Sequence, residues 1–212
     1  MNEKAVISAI ADKNVDIDTY VKQVLEDADL RELVLKNLLT SPEIMVYYHC
    51  YYIISKASEM EPSLFYGYWD AFLKLLSHKN SYHRDIGLTI LANLTAVDSE
   101  NRFSYIYDDY MALLNDPKFM TAESCLKNLK KILDHKPEYE GSVVNRLINI
   151  PDHSPYTEKQ EALMVSSIID VFDGLVDHSQ FKEDMINFVH QHKDSISPKT
   201  RKRAKLFLTK ER

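Results

Sequence analysis

Glycine is scarce here. The chain has four in 212 residues, Gly67, Gly87, Gly141 and Gly174, each standing alone. Dinucleotide- and phosphate-binding loops need clustered glycines for tight turns and close backbone approach to phosphate. Rossmann and P-loop folds are therefore excluded. Cysteine is scarcer still: Cys50 and Cys125 stand without a CxxC or a Cys/His zinc spacing. That predicts two reduced, partly buried thiols and no metal or redox cofactor. No apolar run approaches the ~20 residues a helix needs to span a bilayer. Glu3, Lys4 and Asp12 around a short apolar stretch do not read as a signal peptide, so the expected location is cytoplasmic. Positive charge is also short. The net charge is −6; residues 199–212 carry +6 of it and the other 198 carry −12. A body this acidic argues against broad contact with a phosphate backbone.

What the chain does have is helix-forming residues in a periodic arrangement. Few glycines with many Leu, Lys, Glu and Ile favour an all-α chain. The seven prolines fall at element borders. Pro42 and Pro198 follow serines, where proline suits the first helical position. Pro62 and Pro137 open new segments, and Pro117, Pro151 and Pro155 lie in connections. Five hydroxyl residues, Ser41, Ser81, Thr121, Thr157 and Ser197, recur at spacings of 40, 40, 36 and 40. Each precedes or opens an apolar-periodic segment, where a hydroxyl can cap a helix start. A fixed period of this size signals stacked helix pairs. The predicted organisation is one domain over residues 1–212. Two short helices near 3–12 and 17–26 lead it, the second capped by Asp16 or Asp18. Five pairs over 29–209 follow: 29–39 with 42–59, 62–78 with 81–97, 101–115 with 118–134, 137–149 with 156–175, and 180–192 with 197–209. Short connections make neighbouring helices antiparallel.

In 81–97, Ile86, Ile90, Leu94 and Val97 form one apolar stripe, with Gly87, Leu88, Leu91 and Ala92 beside it. A helix apolar around most of its circumference is buried on more than one side. The segment Asn80-Ser-Tyr-His-Arg-Asp-Ile-Gly-Leu-Thr-Ile-Leu-Ala-Asn-Leu-Thr resembles the second helix of a HEAT repeat, with its early Arg84 and small-plus-leucine ridge. The stretches Leu64-Phe-Tyr-Gly-Tyr-Trp-Asp-Ala-Phe, Asn93-Leu-Thr-Ala-Val-Asp-Ser-Glu-Asn-Arg-Phe and Ser197-Pro-Lys-Thr-Arg-Lys-Arg-Ala-Lys-Leu-Phe-Leu resemble those of a bacterial group of HEAT-repeat proteins. The resemblance covers about residues 29–209. It implies a right-handed α/α superhelix, an α-solenoid of about five HEAT-like pairs, and is nearly silent on activity. HEAT arrays often repeat the arginine at position 84 as an inter-repeat ladder. The equivalents here are Ile44, Ser124 and Gln160, so a regular ladder is not expected.

The densest chemical feature is aromatic. Tyr47, Tyr48, Tyr51, Tyr52, Phe65, Tyr66, Tyr68, Trp69, Phe72 and Tyr82 place ten of 22 aromatics in 36 residues. They suit either core packing between pairs or an aromatic binding surface. The run Lys199, Arg201, Lys202, Arg203 and Lys205 reads either as a nucleic-acid patch or, since it interleaves with Ala204, Phe207 and Leu208 at packing spacing, as a capping helix with a solvated outer face, the preferred reading. Ser166, Asp170, Asp173 and Asp177 form one polar stripe, and Glu123, Lys127, Lys130, Lys131 and Asp134 another. His190 and His192 fall about 200° apart on a helix and cannot share a metal. Asp170 and Asp173 have no accompanying nucleophile, so no acid/base catalytic residue is assigned.

The expected function is a non-enzymatic HEAT-repeat interaction module, binding a protein or peptide along a concave groove lined by second helices. The candidate groove residues are His49 and Tyr52, Thr89 and Asn93, Lys127 and Lys131, then Asp170 and Asp173. They grade from aromatic through neutral and basic to acidic. The partner is an unidentified protein or peptide; nucleic acid and membrane are not expected. The alternative is a DNA-binding HEAT-like protein, such as a glycosylase that removes alkylated purines, for which the chain offers Trp69 and Asp70.

Overall fold

The structure is a computed structural model and describes residues 2–150 and 154–210. Pro151 and its expected place in a connection lie outside the described residues. Every regular element among those described is helical: α1 (Glu3–Ile10), α2 (Ile17–Glu26), α3 (Ala28–Thr40), α4 (Ile44–Met60), α5 (Trp69–Leu73), α6 (Ser81–Leu94), α7 (Phe103–Ala112), α8 (Phe119–His135), α9 (Glu140–Asn149), α10 (Glu158–Leu175), α11 (Lys182–His192) and α12 (Pro198–Leu208). Short 3-10 turns extend several of them. The chain forms two compact units, one up to Phe103 and one from Ser104.

Helix starts show where the hydroxyl period holds and where it fails. Ser197 caps α12, its Oγ accepting the Thr200 N–H at 3.3 Å, with Pro198 at the first helical position. Thr157 precedes α10, and Gln160 Oε1 reaches back to its N–H and hydroxyl. The other three hydroxyls do not cap. Ser41 ends α3 and its Oγ accepts the Glu43 N–H, while α4 starts only at Ile44. Pro42 therefore lies before α4 rather than in its first turn. Ser81 lies inside α6, whose cap is Asn80. Thr121 lies inside α8, fully buried. Carboxylates take over elsewhere: Asp16 caps α2 through Thr19, and Asp27 ends α2 and caps α3 through Leu30.

In the first unit α4 is the central helix. It packs against α1, α2, α3 and α6, burying Val46, Cys50, Ile53, Ile54 and Ala57. Helix α6 lies between α4 and the segment 66–77, and Ile86, Leu88, Ile90, Leu91 and Leu94 are all buried. The expected helix over 62–78 is instead broken into 3-10 turns at Pro62–Leu64, Tyr66–Tyr68 and Lys74–Ser77 around the five-residue α5. Gly67 weakens the helix there, and packing fixes the outcome. Phe65, Trp69 and Phe72 are each fully buried, while Tyr66 OH donates to Asp98 at 2.8 Å and Tyr68 OH donates to Glu32. Asp98 also accepts the Arg102 and Phe103 N–H groups at 2.8 and 2.9 Å. That loop turns through Asn101 at φ 53°, a left-handed conformation asparagine tolerates.

In the second unit α8, α10 and α12 pack in that order, each on the next, and α11 packs on α9, α10 and α12. Tyr110, Cys125, Leu126, Ile168, Ile169, Phe172, Phe188 and Phe207 form its interior. The Phe172 and Phe188 rings meet edge to face at 5.5 Å. Thr200 Oγ1 donates to the Ala162 carbonyl, fastening α12 to α10.

A candidate interaction surface

The expected groove residues divide between the two units, and burial sorts them. In the first unit His49 is buried, and its Nδ1 lies 2.6 Å from the Ile10 carbonyl. A carbonyl only accepts, so that nitrogen carries the proton, and His49 fastens α1 to α4. Asn93 is buried too, its amide donating to Ser55 O at 2.9 Å and Ser58 Oγ at 2.8 Å. Both are withdrawn from solvent and serve packing between helices. Tyr52 remains on the surface and Thr89 is half-buried.

Around Tyr52 the surface is aromatic and apolar. Ile44, Met45, Tyr48, Tyr51 and Tyr52 fall within about 120° of the α4 circumference, opposite the buried Val46, Cys50, Ile53 and Ala57. Ile44 is 66% exposed, Met45 43%, Tyr52 38%, and Tyr82, from the first turn of α6, 57%. The rings hold one another. Tyr48 meets Tyr52 edge-on at 4.8 Å and Tyr82 edge-on at 6.4 Å. Tyr52 OH donates to Tyr48 OH at 2.9 Å, and the Tyr51 OH and Thr89 Oγ1 lie 3.2 Å apart. The hydrogen bond with Tyr48, then burial, pushes the Tyr52 phenol up to about 12; burial, then the Asp85 carboxylate, raises that of Tyr51. These phenols stay neutral in water near pH 7. The surface therefore offers flat apolar faces and neutral hydroxyl groups that hold one another in place.

Of the remaining aromatics in that cluster, Tyr47, Phe65, Trp69 and Phe72 are core, and Tyr66 and Tyr68 are half-buried. Trp69, Phe65 and Phe72 are fully buried. Arg102 lies over the Trp69 ring, 5.3 Å from its centroid, and pairs with Asp70. The indole the glycosylase alternative relies on is thus enclosed, and the Asp70 carboxylate is engaged by Arg102. Cys50 and Cys125 are buried, and burial pushes the Cys50 thiol up to about 12 and that of Cys125 higher still. Neither suits nucleophilic attack. Among the described residues no three His, Cys, Asp or Glu side chains meet as metal ligands would.

In the second unit the acidic stripe is largely spoken for. Arg203 pairs with Asp170, and Lys210 Nζ lies 2.6 Å from Asp173. Arg203 of the basic last helix and Lys210 just beyond it thus neutralise the two aspartates expected to face a partner. On α8 Lys127 is exposed and Lys131 half-buried, while Lys130 pairs with Asp134 at 3.0 Å. Glu123, expected on the same polar stripe, is buried, its Oε2 accepting the Ser167 hydroxyl at 2.7 Å. Ser166, expected in line with Asp170, is also fully buried.

Sequence reasoning missed the exposure of Ile44 and Met45, since an apolar helix start reads as core. It also missed His78 and His83, five apart and stacked at 4.3 Å; that spacing is a weak signal on any chain. No helix among the described residues is long and apolar enough to cross a membrane. Comparison with protein-family models, with curated proteins and with solved structures gives no match for this chain.

Proposed function

We propose that the protein is a non-catalytic, cytoplasmic interaction module built as a HEAT-like α-solenoid, binding a protein or peptide with the tyrosine face of α4 and α6 as its anchor. The observation that carries the binding reading is that face. Ile44, Met45, Tyr52 and Tyr82 stand exposed together, although the same unit buries Trp69, Phe65 and Phe72 completely. Exposed apolar groups in a cluster mark interaction sites, and tyrosine is a favoured hot-spot residue.

The solenoid reading is supported by spacing. Side-chain hydrogen bonds between successive pairs reach 32–44 residues along the chain within each unit, about one period. In the first unit they include Tyr51–Thr89, Asn93–Ser55, Tyr68–Glu32 and Tyr66–Asp98. In the second they include Ser167–Glu123, Ser179–Glu140, Tyr107–Ser142 and Lys210–Asp173. Contacts confined to the next repeat are what a stacked array makes.

The test is comparative capture from native lysate, using wild-type chain and a Tyr52→Ala/Tyr82→Ala variant with an unchanged helical circular dichroism spectrum. A partner held through this face binds the wild type and is lost from the variant. Single substitution of Tyr52 should cost about 2 kcal/mol if it is a hot spot. Lys127 and Lys131 should contribute less, and their share should fade with salt. Equal capture by both chains moves the site away from α4 and α6.

A further inference from the structure

His78, in the turn leading into α6, and His83, in the first turn of that helix, stand face to face. Their ring centroids lie 4.3 Å apart with planes 25° from parallel, and the Tyr47 ring of α4 lies 5.0 Å from His83. His78 Nδ1 accepts the Asn80 N–H at 3.1 Å, so that nitrogen bears no proton. Asn80 in turn caps α6, its Oδ1 accepting the Tyr82 N–H at 3.0 Å. Arg84 Nη1 closes the turn by donating to the His78 carbonyl at 2.7 Å. His83 Nδ1 is buried without a hydrogen-bond partner.

Two of these features, the Asn80 N–H bond to His78 Nδ1 and the buried, unpartnered His83 Nδ1, require neutral imidazoles. A proton on His78 Nδ1 replaces an acceptor with a donor pointed at the Asn80 N–H. A second proton on His83 leaves a charged ring with one nitrogen in the interior and nothing to receive its hydrogen. Charging both rings puts like charges in contact.

We propose that the His78–His83 stack is a proton-operated latch on the first turn of α6, closed when both rings are neutral and opened by acid. The ionisable groups at the junction are Tyr47 from α4, His78 from the turn, and Arg84 and Asp85 from α6. Burial first, and the His78 ring second, hold His83 below the usual histidine value of 6.5. The unfolded turn therefore binds protons more readily than the closed one below that value. The latch is fully stable above pH 6.5 and weakens as the pH falls towards the folded-state value of His83. Tyr82 lies within this turn and leans on Tyr48, so opening would divide the tyrosine surface. That consequence rests on the binding reading above, whereas the latch stands on the imidazole geometry alone.

The test uses the full chain and needs no partner. The His83 and Arg84 amides both bond the Asn80 carbonyl, so their hydrogen exchange reports the turn. Corrected for the intrinsic pH dependence of exchange, their opening constant should rise about tenfold per pH unit for one proton taken up below pH 6.5. It should stay flat in His78→Asn/His83→Phe, where the asparagine oxygen can still accept and the phenyl keeps the stack. Ring-proton shifts recorded alongside should place His83 below 6.5. The latch is overturned if the wild-type constant is flat to pH 5, if the double variant opens with acid to the same degree, or if both rings titrate together at the ordinary value. Should the double variant not fold, the wild type decides alone: opening must follow the His83 ring shift, and opening that does not follow it refutes the latch.

Discussion

Two glycines in this chain make the same kind of close contact and should respond oppositely to alanine. A Cβ on Gly87 would meet Leu75 Cβ and the Phe72 carbonyl, each at 3.0 Å. Both belong to the segment packed under α6, and neither can swing away. On Gly174 a Cβ would meet Lys130 Cδ and Cε, also at 3.0 Å. Those are methylenes of a side chain that is about half exposed, and they can shift. Gly87→Ala should therefore cost on the order of 1–3 kcal/mol, as overpacking does. Gly174→Ala should be neutral or gain up to about 1 kcal/mol from helix propensity. Thermal melts of the two variants check this; a tolerated alanine at 87 would mean that α6 and the 66–77 segment are less closely packed than their contact implies. Glu123 gives a pH-dependent case. One of its oxygens has Ser167, and the other is buried without a partner. Burial raises its pKa, against the Ser167 hydrogen bond and the Lys199 and Lys127 charges, which lower it. The folded state thus holds this proton more tightly than the unfolded chain. Its contribution is fully present below the unfolded value, near 4.5, and is lost as pH rises through the folded value, at most about 1.4 kcal/mol per pH unit. Glu123→Gln, which carries no charge, should melt higher than wild type at pH 7, with the gap closing towards pH 4. A constant gap across that range would show that the buried carboxyl titrates normally.

At the level of elements, the sequence made the helices legible and their ends only in part. Hydrophobic periodicity located α2, α3, α4, α6, α8, α10, α11 and α12 to within a few residues, because each buries a continuous apolar face. The starts were harder. A hydroxyl at a fixed spacing describes Ser197 well, yet Thr121 occupies the same period from inside a helix, where burial rather than capping holds it. Caps are local chemistry, and Asp16, Asp27 and Asn80 perform it equally well. The segment 62–78 was read as one helix opened by Pro62. Its division into 3-10 turns depends on Tyr66 and Tyr68 reaching Asp98 and Glu32, more than thirty residues away in either direction, which no local window contains. The candidate surface follows the same logic. Tyr52 was recognisable from type and helix position, and Lys127 from charge. His49 and Asn93 share their helix faces but reach Ile10 and Ser55, and those tertiary hydrogen bonds take them out of solvent.

For the whole molecule, the uneven charge acquires a structural meaning in the second unit. The acidic residues of α10 and the basic residues of α12 were read as two separate surfaces, and the structure joins them through Arg203–Asp170, with Lys210, just beyond α12, adding a pair to Asp173. Helix α12 also contributes Phe207, 2% exposed, and Ala204, fully enclosed. It covers α10 with apolar groups inside and charge outside, the arrangement of a capping helix. Under the solenoid reading, damage to such a cap should spread by neighbour, because each repeat is stabilised mainly by those beside it. Phe207→Ala should remove about 3–5 kcal/mol of packing at the α12 interface. Hydrogen exchange in the folded variant should then rise most in α12, next in α10, which packs directly on it, and least in α8, which is one helix further along. In a single cooperative bundle the same substitution would raise exchange equally in all three, since global opening would expose them together. The gradient from α12 to α8 therefore separates a stacked array from a closed bundle, and an even rise would end the solenoid reading for this unit.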